Sequence, residues 1–561
     1  MSDGGRDTLL LAASGTDVVA TRAGETTTLS AASLAAWIAA VERRDHPRWV
    51  WSDTTTWYPR LLAEGVRVER CHDLRLARRI LRLAAPRAAA WDDAPGWDRA
   101  TTPTADRQAA DALFEWETQA DPLDGPDDVA AEHERQRAAL DGSPDGRLRL
   151  LVAAESAGAL VACEMRAAGL PWDVARHEAI LIDTLGARRA GGLPARMEAA
   201  AARVRDALDD PRLSIDSPPK LLRALRTAGI RVESTSRWEL AEHDHPVVEP
   251  LLAYKRMARL LTANGWSWID EWVRDGRFRP VYVPGGVVTG RWASSGGGAL
   301  QIPRALRPAV RADEGWRIVS ADVAQLEPRV LAAMARDERM AQAAAGADLY
   351  AGIVASGAVP TRAEAKVAVL GAMYGATTGD AGRLVPRLRT VFPRAMALVD
   401  AAAQTGEDGG VVRTWLGRTS PAASSEWDAA QRLASGVEAG EGEAARARRA
   451  ARDRGRFTRN FVVQGTAAEW SLAWLADLRL RLAAIPPTDG RQATTSGPWF
   501  DRRPHLAFFL HDEVLVHTPE EHADEAAAAV RAAATTAGRL LFGAFPIDFP
   551  LDVRIDVDAA K

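Results

Sequence analysis

The chain has 561 residues, of which 47% are hydrophobic and 26% charged, and this composition excludes a disordered or fibrous chain. Its formal net charge of −4 excludes a broadly basic surface, so any nucleic-acid binding must depend on local basic patches. The start of the sequence lacks the basic segment of a secretory signal, and no apolar run is long enough to span a bilayer. We therefore expect no membrane partner. Two distant cysteines, Cys71 and Cys163, form no metal-ligand pattern and favour a reducing, cytoplasmic compartment.

The N-terminal part of the sequence, up to about residue 85, predicts a small α/β unit. Its strands are expected at residues 8–13 and 49–51 and its helices at residues 30–43 and 74–83. Residues 86–143 are rich in Pro, Asp and Gly and predict a linker that contains some helix. Amphipathic helical patterns dominate residues 148–272. Residues 420–455, rich in Ala, Gly, Glu and Arg, are expected to be only partly ordered without a partner.

The first chemically informative segment is an apolar run that ends in Asp322. Apolar residues then recur at helical spacing from Leu326 to Leu331. A strand that ends on an acid and turns into a helix presents the carboxylate at the strand tip, where ligands can reach it. Taken alone, Asp322 is better explained as a plain helix cap, because Asp is a common N-cap residue.

A second acidic segment lies close to the C-terminus. His511, Asp512 and Glu513 separate two β-type runs, residues 506–510 and 514–517, and so predict a hairpin with two acids at its tip. Adjacent carboxylates repel each other unless a cation or hydrogen bonds compensate, although a turn acid is often merely solvated. Taken with the first segment, these acids indicate a site for a pair of divalent cations.

A predicted helix between the two acidic segments carries basic residues on one face. Arg362, Lys366, Leu370 and Tyr374 are spaced by four, so they form one stripe. Thr361, with the glutamate three residues later, fits a capping box at the start of this helix. A solvated face would explain the two basic residues but not the two large ones that continue the stripe. Basic groups on one helix face can hold a triphosphate.

Together these segments resemble the motifs of family A DNA polymerases, the class of bacterial DNA polymerase I and its large fragment. Two further segments resemble the family's contacts to primer and template. In chain order, the five segments are residues 289–303, 322–329, 362–375, 456–468 and 511–513. The resemblance begins near residue 145 and continues to the end of the chain.

The resemblance implies an α+β right-hand polymerase fold, with an antiparallel palm sheet and a helical thumb and fingers. Residues 146–561 would form the polymerase domain, with the thumb near 190–275, the fingers near 346–455 and the palm in the remainder. Residues 1–90 would form a small α/β domain of the RNase H-like exonuclease type. Residues 91–145 would form a linker, and the family's separate 5′ nuclease domain would be absent.

For catalysis, the resemblance implies that Asp322 and Asp512 bind two Mg²⁺ ions, which Mn²⁺ could replace. The carbonyl of Val323 would assist them, and Glu513 would lie near the metals. Lys366 would be the third catalytic residue, as the proton donor to pyrophosphate.

The resemblance also assigns substrate contacts. For the incoming dNTP these are Arg362, Lys366, Leu370, Tyr374, Glu327, Gln325 and His511. For primer-template DNA they are Arg291, Gln301, Arg456, Asn460 and Gln464. Glu327 would act as a steric gate, because a ribose 2′-hydroxyl would collide with it.

Two features depart from the family. Leu370 stands where the finger helix usually carries an aromatic residue, so nucleotide affinity and sugar selection become open questions. In the N-terminal region, the position of an expected metal-binding Asp falls on Trp57 or Tyr58, and the first strand carries no Asp-x-Glu. Asp73 would be the single acid that remains. We therefore expect an exonuclease relic without catalysis.

The leading prediction is a monomeric DNA-templated DNA polymerase that serves repair or gap filling in the cytoplasm, at the nucleoid. Three alternatives stay open: a single-subunit RNA polymerase, a nuclease and a non-catalytic DNA-binding scaffold. Glu327 argues against the first, and the missing N-terminal acids argue against the second. Against the scaffold stands the joint presence of Asp322, Asp512, Lys366 and Arg362.

Overall fold

The computed structural model describes residues 8–85, 91, 97, 124–143, 146–189, 191–375, 379–436 and 440–560. The chain divides into two units. The larger unit comprises Met1–Leu170, Arg279–Leu300 and Asp313–Val557, and the smaller unit comprises Pro171–Phe278, Gln301–Ala312 and Asp558–Lys561. Most of the linker predicted at residues 91–145 lies outside the described residues. Within the described ranges, no helix combines the length and hydrophobicity needed to cross a membrane.

The larger unit begins with a five-stranded mixed sheet. Its elements are β1 (Thr8–Ser14), β2 (Asp17–Arg22), β3 (Glu25–Ser30), α1 (Ala31–Asp45), β4 (Arg48–Trp51), α2 (Thr54–Ala63), β5 (Arg70–Asp73) and α3 (Leu74–Ala84). The strand order is β3-β2-β1-β4-β5. The β1–β2 and β2–β3 pairs are antiparallel, whereas β4 is parallel to both β1 and β5. This arrangement agrees with the α/β unit predicted from the sequence.

Two helices follow this sheet in the larger unit, α4 (Pro126–Asp141) and α5 (Arg147–Ala168). Leu160 and Cys163 of α5 belong to the same hydrophobic core as Trp49 and Trp51 of β4. The N-terminal sheet and α5 therefore share one core.

The smaller unit is mostly helical. After β6 (Leu170–Pro171), its elements are α6 (Val174–Leu185), α7 (Ala195–Ala207), α8 (Pro218–Thr227), α9 (Arg237–Ala241), α10 (Val248–Asn264), α11 (Trp266–Trp272), β7 (Val273–Arg274) and β8 (Arg277–Phe278). Buried residues such as Val204, Leu221 and Leu251 form its core. The predicted thumb, residues 190–275, falls within this unit, and its assignment as a thumb stays a prediction, like the other domain boundaries.

The larger unit resumes with the elements that carry the sequence motifs. They are β9 (Tyr282–Val283), β10 (Ala293–Ser294), β11 (Trp316–Val323), α12 (Leu326–Ala335), α13 (Glu338–Ala343), α14 (Leu349–Ala355), α15 (Arg362–Tyr374), α16 (Gly379–Val391), α17 (Pro393–Glu407), α18 (Ser425–Ala434), α19 (Glu441–Ala484), β12 (His505–Leu510), β13 (Glu513–Pro519), α20 (Ala523–Phe542) and β14 (Leu551–Asp556).

The second sheet of the larger unit has the strand order β12-β13-β11-β14 and is antiparallel throughout. The predicted hairpin of β12 and β13 is confirmed. β11 lies between β13 and β14, so Asp322 pairs in register with Glu513 on one side and Asp552 on the other. The sheet thus brings the two acidic segments, nearly 200 residues apart in sequence, onto adjacent strands.

The predicted basic helix is confirmed as α15. Thr361 Oγ1 accepts a hydrogen bond of 3.2 Å from the Glu364 N–H and so caps the helix. The second half of the predicted capping box is wrong. The Glu364 carboxylate accepts from the Thr361 hydroxyl at 2.9 Å instead of reaching back to a backbone N–H.

The described residues of the stretch 420–455 include α18 and the start of α19, and the expectation that this stretch is only partly ordered without a partner stays a prediction. Gln431 Nε2 donates to the Ala447 carbonyl at 3.0 Å and so joins the two helices. Arg454 Nη2 donates to the carbonyls of Gly410 and Pro421 at 2.7 and 3.1 Å. These bonds connect the two helices to each other and to neighbouring loops.

Candidate active site

The backbone of the β12–β13 turn joins the two predicted metal-binding segments directly. The Val323 N–H donates to the Asp512 carbonyl at 2.9 Å. His511 has a φ of 56°, in the left-handed region, which makes the turn tight. Ser471 Oγ, on α19, donates to the His511 carbonyl at 2.9 Å and anchors this turn. Asp322, Asp512 and Glu513 consequently lie at one end of the sheet.

Burial raises the pKa of Asp512 to about 6, and repulsion from Asp322 and then Glu513 adds to this rise. Arg291 acts in the opposite direction more weakly. The carboxylates of Asp322, Asp512 and Glu513 therefore concentrate negative charge around Asp512, which is only partly accessible to water. Such a place is electrostatically suited to a cation.

A cavity of about 230 Å³ adjoins Asp512. Its lining includes residues from all five sequence motifs as well as residues, such as Tyr350 and Phe509, that the sequence did not single out. The predicted site residues in its wall are Arg291, Gln325, Glu327, Leu370, Tyr374, His511 and Asp512. The structure therefore brings most of the predicted dNTP-binding residues together beside one predicted metal ligand.

A hydrogen bond and an ion pair connect three of the side chains that line this cavity. The Tyr374 hydroxyl donates to Glu327 Oε2 at 2.6 Å, and Arg291 forms an ion pair with Glu327 Oε1. Burial, followed by the Glu327 carboxylate, raises the pKa of Tyr374 well above its usual value. The end of α15 is thereby linked to the first turn of α12.

The two predicted triphosphate contacts, Arg362 and Lys366, lie on the exposed first turns of α15 and do not line the cavity. Arg362 Nε donates to Asp348 Oδ2 at 2.6 Å. Leu370 and Tyr374 continue the same stripe into the cavity. The N-terminal half of α15 therefore carries exposed cations, whereas Leu370 and Tyr374 in its C-terminal half line the cavity.

The predicted DNA contacts on α19 follow each other at intervals of four and do not line the cavity. Arg456 is exposed and its side chain lies close to Gly375, whereas Asn460 and Gln464 are partly buried. Asn460 Oδ1 has no hydrogen-bond partner among the described residues. The side chain of Gln301 lies outside the described part of the chain.

Sequence reasoning missed several residues at this site. Tyr350 and Trp292 line the cavity, and Asp348 holds Arg362. Arg329 is fully buried, and burial lowers its pKa to about 10. Its guanidinium donates to the carbonyls of Ala324, Ala344, Gly346, Ala347 and Asp548. Arg329 ends the motif segment 322–329 but was given no role, and Asp348 and Tyr350 lie outside all five motif segments.

The N-terminal sheet places its acids differently. Asp73 accepts hydrogen bonds from the backbone N–H groups of Thr54 and Leu76 at 2.7 and 2.9 Å and caps α3. Asp53 caps α2 by accepting from the Thr55 N–H at 2.7 Å. Burial raises the pKa of Asp53 to about 7, and repulsion from Asp73 adds to the rise. Both carboxylates are committed to helix termini.

Comparison with known proteins decides the family. The sequence pattern described as DNA polymerase family A matches residues 195–560. The chain belongs to DNA polymerase family A. The predicted membership is therefore confirmed, and the matched residues 195–560 contain all five motif segments in full.

Relatives from thermophilic bacteria support the assignment. The chain is 27% identical over 360 residues to the thermostable DNA polymerase I of Thermus filiformis, an alignment that covers 59% of the chain and 38% of that protein. It is 26% identical over 471 residues to the thermostable DNA polymerase I of Thermus aquaticus, with 76% and 50% covered. The chain thus spans half or less of the length of these relatives.

A solved structure confirms the predicted fold. The POL domain of Pol1 from M. smegmatis, in complex with DNA primer-template and dNTP, has a TM-score of 0.66 and 18% sequence identity. The match covers 99% of this chain and 96% of that one. The chain therefore has the fold of a family A polymerase domain.

Proposed function

We propose that this family A chain is a DNA-templated DNA polymerase that transfers nucleotides from dNTPs to a primer 3′-hydroxyl. One observation carries the proposal. Asp322 and Asp512 come together at one end of the sheet, beside a cavity whose wall also contains Glu327 and Tyr374. Carboxylates next to a nucleotide-sized recess, with cations on the adjoining helix, are the requirements of nucleotidyl transfer.

The donor set fits two Mg²⁺ ions, and Mn²⁺ would fit the same ligands. Asp322, Asp512 and the Val323 carbonyl would hold them, with Glu513 close by, because Mg²⁺ prefers oxygen ligands and usually binds one or two carboxylates. When bound, the ions lower the pKa of the primer hydroxyl and neutralise the triphosphate. The raised pKa of Asp512 supports this role: burial and then repulsion from Asp322 cause the rise, and a bound cation would compensate for both.

The remaining residues act on the substrates. Arg362 and Lys366 would neutralise the triphosphate, and Lys366 would donate a proton to the leaving pyrophosphate. Glu327 would exclude a ribose 2′-hydroxyl, and Tyr374 would pack beside the nascent base pair. Primer and template would contact Arg291, Gln301, Arg456, Asn460 and Gln464, largely through sequence-independent contacts.

The physiological assignment is part of the proposal. We place the enzyme in gap filling or repair, as a monomer at the nucleoid in the cytoplasm. The thumb is assigned to residues 190–275 and the fingers to 346–455. The N-terminal domain, residues 1–90, is proposed to lack 3′–5′ exonuclease activity, which the helix-capping roles of Asp53 and Asp73 support.

The deciding experiment is extension of a labelled primer with four dNTPs and Mg²⁺, comparing wild type, Asp322→Ala, Asp512→Ala and Asp556→Ala. Asp556 is an exposed acid on β14 that pairs with Ile318, four residues before Asp322, and serves as the control. We expect extension by wild type and the control only, with DNA binding retained by all four. Wild type that binds primer-template but never extends it would favour the scaffold alternative.

A second assay addresses the nuclease alternative. A 5′-labelled single strand is incubated with the Asp322→Ala/Asp512→Ala double variant and Mg²⁺ or Mn²⁺, without dNTPs. We expect the strand to stay intact. Shortening that disappears when Asp53 and Asp73 are also changed to Asn would assign exonuclease activity to the N-terminal domain and overturn this part of the proposal.

A further inference from the structure

Arg362 is held by an acid that the sequence motifs did not include. Arg362 Nε donates to Asp348 Oδ2 at 2.6 Å, and the guanidinium carbon lies 5.6 Å from the centroid of the Tyr350 ring. The Arg362 side chain is nevertheless 58% exposed. The bond uses Nε, so the opposite Nη edge of the guanidinium stays accessible from solvent.

Asp348 is itself fixed in position. Its Oδ1 accepts a hydrogen bond of 3.0 Å from the Tyr350 N–H and caps α14. The next residue, Leu349, donates its N–H to Gln325 Oε1 at 3.1 Å. Gln325 lies three residues after Asp322 and lines the cavity. Arg362 is therefore tied, through Asp348, to the loop that follows the metal-binding acid.

Two physical effects of Asp348 oppose each other. A carboxylate near Arg362 repels an approaching triphosphate, but charges this exposed are strongly screened by water and salt. A guanidinium held in place has less conformational freedom to lose when it binds phosphate through its Nη edge. Because Arg362 is more than half exposed, the ordering effect should be the larger one.

We propose that Asp348 is a positioning residue for nucleotide binding, which orients Arg362 so that its Nη edge meets the triphosphate. This inference rests on the proposed polymerase function and refines it. The interaction acts on phosphate binding, so it should affect dNTP affinity much more than the chemical step.

The test compares wild type, Asp348→Ser, Arg362→Ala and the double variant. Serine is a good N-cap residue, so Asp348→Ser preserves the cap of α14 but is too short to reach Arg362. Asp141→Ser, which removes an exposed ion pair to Arg149 far along the sequence, is the matched control. Two quantities are measured: the Kd of the next dNTP on a dideoxy-terminated primer-template, and KM and kcat in primer extension.

We expect Asp348→Ser to raise the Kd and KM about fivefold with kcat changed less than about twofold, while the thermal midpoint and the Asp141→Ser control stay unchanged. Arg362→Ala should weaken binding more, and the double variant should be no worse than Arg362→Ala alone, because Asp348 acts through Arg362.

Three results would overturn the inference while leaving the polymerase function intact. They are an unchanged dNTP affinity in Asp348→Ser, a tighter affinity, which would mean that Asp348 competes with the triphosphate, and full additivity in the double variant. Wild type that neither extends a primer nor binds a dNTP would instead remove the proposed function itself.

Discussion

Tyr374, the last residue of α15, donates a hydrogen bond of 2.6 Å to Glu327 in the first turn of α12. The second carboxylate oxygen of Glu327 is engaged by Arg291. A carboxylate bound at both oxygens keeps one position, and here that position is in the wall of the cavity. We therefore expect the position of α15 and the proposed sugar selection to depend on the same side chain.

Glu327→Ala should increase ribonucleotide incorporation relative to deoxynucleotide incorporation by about 10- to 100-fold, because the variant removes the group that a 2′-hydroxyl would meet. Tyr374→Phe, which keeps the ring but loses the hydrogen bond, should give a smaller increase. The measurement is the ratio of kcat/KM for the two nucleotide types. Glu327→Gln has nearly the same size and should retain most of the selectivity. Unchanged selectivity in Glu327→Ala would remove this residue from the gate.

Leu370→Phe should lower the KM for dNTPs severalfold, since a ring at this cavity-lining position adds apolar contact to the incoming sugar. Steady-state extension with each dNTP measures the effect. Val367→Phe adds a ring to an exposed position of the same helix and is the control, for which we expect no change. A higher KM for Leu370→Phe would mean that the cavity lacks room for the ring.

Glu469 should make stability depend on pH. This residue on α19 is fully buried, and burial raises its pKa from 4.5 to about 7. Between these values the folded protein keeps a proton that the unfolded chain has lost, so the free energy of unfolding falls as pH rises from about 4.5 to about 7. Above that range this contribution is constant. Urea unfolding of wild type between pH 4 and 8 measures it.

Glu469→Gln is the matched variant for this effect. Its amide can replace the protonated acid, accepting from the Leu416 N–H and donating to Thr414 Oγ1, the two groups that Glu469 contacts. We expect it to equal wild type in stability near pH 4 and to exceed it by up to about 3 kcal/mol at pH 8. A difference that stays constant across this pH range would contradict the assigned titration.

Glu164→Ala should destabilise the protein by about 3–5 kcal/mol, because it leaves buried cations without their counter-charge. Arg479 contacts both oxygens of Glu164 at 2.6 and 2.9 Å, and Arg67 lies 3.0 Å from the same carboxylate. Denaturant unfolding provides the measurement. Asp489→Ala, which removes an exposed pair to Arg502, should cost less than about 1 kcal/mol. Equal losses in the two variants would show that burial does not set the strength of the Glu164 pair.

The strands that carry Asp322 and Asp512 and the helix α15 were predictable because local patterns specify them. The apolar run before Asp322 and the paired runs around Asp512 have the length and composition of strands, and Arg362 to Tyr374 has helical spacing. Their meeting in space was implied only by the family resemblance. No local rule places residues nearly 200 positions apart on neighbouring strands.

Residues that act through tertiary contacts were not predictable. Asp348 has the sequence signature of a helix cap, and nothing nearby in sequence indicates that Arg362 will meet it. Arg329 serves five carbonyls that come from three separate segments. Arg454 of α19 likewise donates to the carbonyls of Gly410 and Pro421, which lie in a preceding loop. The composition of a segment indicates how much apolar surface it can bury. It does not indicate which hydrogen-bond partners distant parts of the chain will provide.

The length of α19 constrains how this gene can change. Its 44 residues extend about 66 Å. This one helix carries Gln464, a predicted DNA contact, and Ser471, which donates to the His511 carbonyl in the turn before Asp512. Farther along, it carries Arg479, which pairs with the buried Glu164. Inserting or deleting one residue would rotate everything beyond it by about 100° and shift it by about 1.5 Å. In-frame insertions should therefore be tolerated before Glu441 but eliminated by selection between Gln464 and Arg479. We expect the number of residues between Gln464 and Arg479 to stay fixed in any relative that keeps the contacts of Gln464, Ser471 and Arg479.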